Sequence, residues 1–226
     1  MRILMTGATG LVGQGVLVEA LADPRVSAVA VLGRRPLGHP DPRVEDLVVE
    51  RFDALEGVLE RLAPFDACFY CAGAPPIGTR EPDYRHVTLE LTTPVARAFA
   101  ERNPGARLHY ISGAYSSPAS RLMPMRVKGE TEAALQALPV SSVMLRTGGI
   151  QPAHGELSPH AWMRPFYALA APLMGLGVRL LPGALTSTAR VGRAMLALAT
   201  MPSPPPVVEN EAINRLGSQP SPRHDV

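Results

Sequence analysis

Residues 6–15 read TGATGLVGQG, and this loop limits the folds open to the chain more than any other stretch. It follows an apolar run, RILMT at 2–6, and opens a helical pattern at 11–23. Gly7, Gly10 and Gly13 are spaced G-x-x-G-x-x-G. One glycine permits a tight turn, a second lets a pyrophosphate approach the backbone, and a third lets helix and strand pack closely. Past Thr9, the helix start at Leu11 and Val12 offers free N–H groups and a partial positive charge to phosphates. The spacing predicts a dinucleotide-binding loop at the first strand–helix junction.

The pattern that follows agrees. SAVAVLG (27–33), EDLVVE (45–50), DACFYCA (66–72), ARLHYIS (106–112) and VSSVMLR (140–146) read as strands. ALEGVLERLA (54–63), capped by Asp53, reads as a helix. So do YRHVTLELTTPVARAFAERN (84–103), bent or restarted at Pro94, and PMRVKGETEAALQAL (124–138), with Pro124 in its first turn. Strands rich in Val, Ile and Leu alternating with helices predict a doubly wound α/β domain over residues 1–150, its parallel sheet covered on both faces. Residues 151–216 are expected to form a small C-terminal lobe on the substrate side. It holds helical patterns at 187–200 and 209–216 and an element returning to the sheet. Residues 217–226 read as a disordered tail.

Composition narrows the partners. A formal charge of +2 and no block of basic residues give no nucleic-acid footprint. The most apolar stretch, 165–183, is broken by Pro172 and Arg179 and reads as a core helix rather than a membrane span; a homodimer packed through 165–181 is the alternative. The N-terminus lacks a signal-peptide pattern, so a reducing, cytoplasmic setting is expected. Cys68 and Cys71 are spaced C-x-x-C, but on a strand residues three apart point to opposite faces, so no metal or disulfide site is expected.

Three further stretches sit where strands end. After the second strand comes VLGRRP: Gly33, then Arg34 and Arg35, with no acid beside them. A guanidinium pairs with a 2′-phosphate and a carboxylate repels it, so NADP(H) is expected in preference to NAD(H). Cys71, Ala72 and Gly73 end the fourth strand and are expected beside the cofactor. Gly148, in RTGGIQP after the sixth, lets backbone approach the nicotinamide end. Asp53 is a candidate contact to the adenine, with Glu50 its rival.

The glycine loop, GRR, CAG, YISGAYSS, VKGETE and LRTGG stand in the order and spacing of the extended short-chain dehydrogenase/reductase superfamily, which the chain resembles over nearly its whole length. VKGETEAAL and VVENEAINRLG resemble in particular the atypical branch containing the HIV Tat-interactive oxidoreductase-like and NmrA-like proteins. The resemblance implies an NAD(P)-binding Rossmann-like fold and a Y-x-x-x-K helix. In that helix the lysine grips the nicotinamide ribose and lowers the tyrosine's pKa. Lys128, the only lysine in the chain, matches it. Ser112 matches the substrate-orienting serine. Where the tyrosine belongs, four residues before Lys128, stands Pro124, which transfers no proton. Tyr115 is the nearest phenol, either as a replacement or as a residue covering the nicotinamide. Two functions are therefore implied. One is an oxidoreductase acting on a small carbonyl or alcohol. The other is a non-catalytic nucleotide sensor that presents a surface to a protein partner.

Overall fold

The computed structural model describes residues 1–55, 58–62, 64–156 and 181–218. The apolar segment 165–180 and the tail beyond 218, both singled out from sequence, lie outside the described residues.

The strands are β1 (Arg2–Thr6), β2 (Ala28–Gly33), β3 (Val44–Val48), β4 (Ala67–Tyr70), β5 (Arg107–Gly113), β6 (Ser141–Thr147), β7 (Gly149–Gln151), β8 (Leu185–Ser187) and β9 (Val207–Glu209). The helices are α1 (Leu11–Ala22), α2 (Glu81–Arg85), α3 (Thr92–Arg102), α4 (Met123–Gln136), α5 (Thr188–Thr200) and α6 (Asn210–Gly217). Seven strands form one sheet in the order β3-β2-β1-β4-β5-β6-β9, every pair parallel. β7 and β8 make a separate two-stranded parallel ribbon.

Parallel strands need helical crossovers, and those helices cover both faces. On one face Val16 and Leu17 of α1, Val191 and Met195 of α5 and Ile213 of α6 pack against β1, β2 and β4. On the other, Val95 and Phe99 of α3 and Leu135 of α4 pack against the same sheet. The two cysteines follow the strand alternation. Cys68 belongs to the second of these cores and Cys71 packs against the first, and both are free. No helix among the described residues is long and apolar enough to cross a membrane.

Two expected helices differ from their patterns. The stretch 84–103 takes the restarted form of the two expected, with the restart two residues ahead of Pro94. α2 passes through a wide turn, where the Leu91 N–H donates to the His86 carbonyl five residues back (3.0 Å), and α3 restarts at Thr92. Pro94 has no N–H for the Glu90 carbonyl, so the ladder breaks ahead of it. The Thr93 hydroxyl donates to the Leu89 carbonyl nearby (2.8 Å). Between β3 and β4 the described residues run as tight turns rather than the helix expected at 54–63. The Val58 N–H donates to the Leu55 carbonyl and the Arg61 N–H to the Val58 carbonyl, each at 2.9 Å. Leu55, Val58, Leu62 and Phe65 all enter one core. Apolar residues three or four apart suit a three-residue turn as well as an α-helix. Asp53 therefore caps no helix there; it pairs with Arg51.

Candidate functional site

Because the sheet is all parallel, its carboxyl ends form one row of exit loops. Ligands of such sheets bind in the crevice where the strand order reverses. Here that point is β1, with β2 on one side and β4 on the other.

The exit loop of β1 is built by what its residues lack. Gly7 has φ +71°, and a Cβ there would lie 2.4 Å from the Ala72 nitrogen. Any other residue would be strained and would push the β4 exit away. A Cβ on Gly13 would lie 2.0 Å from the Gly7 carbonyl oxygen. α1 therefore sits directly against the turn. The Gly10 N–H donates to the Gly7 carbonyl (2.9 Å). Gly10 is the N-cap of α1 and caps it with no side chain. The N–H groups of Leu11 and Val12 have no intrahelical acceptor by position in the first turn, and Thr9 beside them is exposed. The β4 exit is laced to this loop. The Cys71 N–H donates to the Thr6 carbonyl (3.2 Å) and the Ala72 N–H to the Thr6 hydroxyl (3.3 Å). Gly73 faces open space. The buried Thr6 is a contributor that the sequence pattern hides, since it reads only as the last residue of a strand.

The β5 end is built by charge. Lys128 sits on α4 one turn after Pro124, and its ammonium donates to the Ile111 carbonyl (2.7 Å) and lies 5.1 Å from the centre of the Tyr110 ring. Burial pushes it down to about 8, with Glu132 pulling the other way. Glu132, one turn further on and buried, accepts from Arg146 at both oxygens (3.0 and 2.6 Å) and from the Ser112 hydroxyl (2.5 Å). The bond to Glu132 raises the Arg146 pKa, and Arg146 also reaches Glu209 at 3.1 Å.

Ser112 is 1% exposed. Its hydroxyl also lies 3.1 Å from the Ser116 hydroxyl, which donates to the Gly113 carbonyl (2.7 Å). A carboxylate and a carbonyl only accept, so the two hydroxyl protons are both committed inward. Tyr115 is the opposite case. It is 79% exposed and holds φ +62°, the only non-glycine residue among those described with a positive φ.

The row thus brings together the Gly7–Gly13 loop, Cys71–Gly73, Ser112, Lys128 and, after β6, Gly148. A Cβ on Gly148 would lie 2.0 Å from the Ala184 carbonyl oxygen, and its N–H donates to the Asn210 side chain (2.8 Å). Asn210 and Asn214, buried on α6, each donate to the carbonyls of Pro182 and Leu185. Asparagines one helical turn apart gave no such signal in the sequence. Gly33 ends β2 in the same row. Arg34 and Arg35 after it are exposed, with no partner among the described residues. Asp53 follows β3 in the exit loop of that strand, its carboxylate held below the usual range by Arg51.

Comparison with known proteins adds the following. The family described as NAD dependent epimerase/dehydratase matches residues 3–135. No curated protein matches the chain. Among solved structures, glucuronic acid dehydrogenase from Chromohalobacter salexigens superimposes with a TM-score of 0.66 at 14% identity, over 92% of this chain and 75% of that one. The Bordetella bronchiseptica enzyme WbmG in complex with NAD gives 0.64 at 19%, over 96% and 76%. UDP-glucuronic acid 4-epimerase from Bacillus cereus in complex with NAD gives 0.63 at 15%, over 90% and 74%. These likenesses establish the doubly wound, Rossmann-like fold and agree with the resemblance to extended short-chain dehydrogenases/reductases.

They also correct the cofactor. The expected preference for NADP(H) is overturned, because the family is described as NAD dependent and the related complexes hold NAD. The physical reason lies at the end of β2. Arg34 and Arg35 are solvated side chains in a chain whose basic residues are nearly all arginine, and nothing fixes either one around a phosphate.

Proposed function

We propose a function from one premise: the chain belongs to the NAD dependent epimerase/dehydratase family. In this reading NAD(H) lies across the carboxyl ends of β1, β4 and β5, and the protein is an oxidoreductase for a small molecule bearing a carbonyl or an alcohol. The observation that carries it is the junction of Gly7, Gly13 and Ala72, where backbone meets backbone and any Cβ would fill the gap. That cradle fits a pyrophosphate. Gly10, Leu11 and Val12 would offer it N–H groups and Thr9 a hydroxyl at the helix N-terminus. Gly33 would flank the adenosine ribose and Cys71–Gly73 the dinucleotide's middle. Lys128 would hold the nicotinamide ribose, a task for a compact ammonium rather than a planar guanidinium. When bound, the cofactor supplies a hydride donor or acceptor. Ser112 and Tyr115 line the reaction end; of the expected lobe at 151–216, α5, α6 and β9 belong to the main sheet and its cover, which leaves the ribbon of β7 and β8 on the substrate side.

Calorimetry tests this. NADH is expected to bind the wild type, and Thr9→Glu is expected to weaken binding at least ~tenfold by placing a carboxylate beside the pyrophosphate, with an unchanged circular dichroism spectrum. Equal affinity for both proteins would remove the cradle as the binding site.

Pro124 favours a second reading, a nucleotide sensor that presents a surface to a protein partner. NADH consumption with a panel of carbonyl compounds separates the two. Turnover supports the enzyme; tight binding without turnover supports the sensor.

A further inference from the structure

Lys128 and Glu132 lie four residues apart on α4, the spacing at which opposite charges ordinarily pair along a helix. They do not pair. Glu132 is claimed by Nε and Nη2 of Arg146 and by Ser112, and no ion pair to Lys128 is present among the described residues. The ammonium instead meets a neutral carbonyl and an aromatic face. Of its three N–H donors, Ile111 takes one, and two have no hydrogen-bond acceptor among the described residues.

The other candidates for moving a proton are poorly placed. Pro124 has no exchangeable proton. Ser112 has spent its own on Glu132. The Tyr110 phenol is fully buried, and burial raises its pKa. The Tyr115 phenol has no hydrogen-bond partner among the described residues to activate it.

We propose that Lys128 is the proton donor and acceptor of the reaction, and that Arg146 keeps it so by occupying the carboxylate that would otherwise pair with it. The proposal rests on the NAD(H) reading above. In the oxidising direction the alcohol carbon gives its hydride to oxidised nicotinamide, and the alcohol O–H gives its proton to the neutral Lys128 amine. A carbonyl, a reduced nicotinamide and an ammonium result, and the ammonium then loses its proton to solvent. Reduction runs the same steps backwards. Arg146 and Glu132 are positioning residues; they touch neither substrate nor cofactor. The charged and titratable groups around the ammonium are Tyr110 from β5 and Glu132 from its own helix, backed by Arg146 from β6 and Glu209 from β9. Its depressed acidity, to about 8, agrees with this arrangement.

A chain with one lysine makes the test direct. Protein grown on isotope-labelled lysine gives one side-chain NMR signal, which is expected to titrate near 8 in the wild type. Arg146→Gln frees Glu132 to pair with Lys128, and the midpoint should rise above ~10, the ordinary lysine range. Glu132→Gln removes the carboxylate, and the midpoint should stay at or below that of the wild type; this variant serves if Arg146→Gln does not fold. NAD⁺-dependent oxidation of glucuronic acid, UDP-glucuronic acid and a series of secondary alcohols should show a pH limb at the NMR midpoint. At pH 8 Arg146→Gln should lose about fifty-fold in rate, from half the lysine being amine to about one in a hundred.

A wild-type midpoint above 10 overturns the proposal. So does a rise in Glu132→Gln, an unmoved midpoint in Arg146→Gln, or no turnover by protein that binds NAD⁺. A calorimetric blank with NADH fails the NAD(H) reading instead, so the two failures are distinguishable.

Discussion

The β1 exit and the β5 exit stand near each other in one row of loops, yet they are held by opposite means. At β1 the chain is fixed mainly by missing side chains: Gly7 and Gly13 let backbone touch backbone, and the side chain that laces the turn is the uncharged Thr6. At β5 it is fixed by side chains that are charged or protic: Lys128, Glu132, Arg146 and Ser112. Steric complementarity of the first kind gives a binding surface indifferent to pH. A buried polar network of the second kind is sensitive to every proton gained or lost. The comparison therefore predicts a pH-independent cradle beside a pH-dependent reaction end.

The largest effect expected is at the cradle. Gly7→Ala combines a left-handed backbone with a Cβ 2.4 Å from the Ala72 nitrogen, and should cost ~3 kcal/mol or more, or prevent folding. Urea denaturation checks it, and a loss below ~1 kcal/mol would mean the two exits separate without penalty.

Next comes His109, whose ring stacks on Phe69 with neither nitrogen partnered among the described residues. Burial holds it down to about 3 against an ordinary 6.5. Below pH 6.5 the unfolded chain takes up a proton that the folded chain refuses, so stability falls with pH until about 3. At pH 4.5 this should amount to ~2–3 kcal/mol. His109→Phe should remove that share of the acid sensitivity, while Thr9→Glu should leave it in place. Urea midpoints across pH 4–7 for the three proteins decide it.

A smaller effect, of the same sign but in a higher pH window, belongs to Lys128. Below pH 8 its ammonium is protonated in both states and the fold carries the cost of burying it. Between about 8 and 10.5 the folded amine is neutral while the unfolded one is still charged, so stability rises with pH. Lys128→Met should stabilise the protein by ~1 kcal/mol at pH 7, once the lost bond to Ile111 is set against the relieved burial, and should give no gain by pH 10.5. A variant that is destabilised equally at both pH values would show that the hydrogen bond, not the charge, dominates. The smallest effect is at Arg34, where Arg34→Asp should change NADH affinity by less than ~2-fold, because an exposed and unfixed guanidinium contributes little. A large loss measured by calorimetry would restore that residue to the site.

How much of this was legible in the sequence follows the same division. The glycine loop was legible because three glycines within seven residues at a strand–helix junction mark where backbone must meet backbone, although the partner of Gly7, Ala72, is distant in sequence. The strands were legible because apolar runs bounded by loops have few alternatives. The stretch after Asp53 was misread, since Leu55, Val58 and Leu62 carry a spacing that turns and helices share. Arg34 and Arg35 were misread because residue type alone does not say whether a charge is held or solvated. The pairing of Glu132 with Ser112 and Arg146 was not legible at all. It joins residues 20 and 14 positions away through strand register, which fixes Ser112 beside Arg146. The absence of the tyrosine was plain from sequence; what surrounds the lysine in its place was not.

The asparagine clamp on α6 has a consequence for the order of assembly. The cradle's contacts lie within the first 72 residues, so it can close while much of the chain is still being made. The β6 exit is different: Gly148 donates to Asn210, and Asn214 secures the carbonyls of Pro182 and Leu185 beside it. The glycine turn thus has its backbone partners early in synthesis, but the far end of the crevice stays unfinished until residue 214 has left the ribosome.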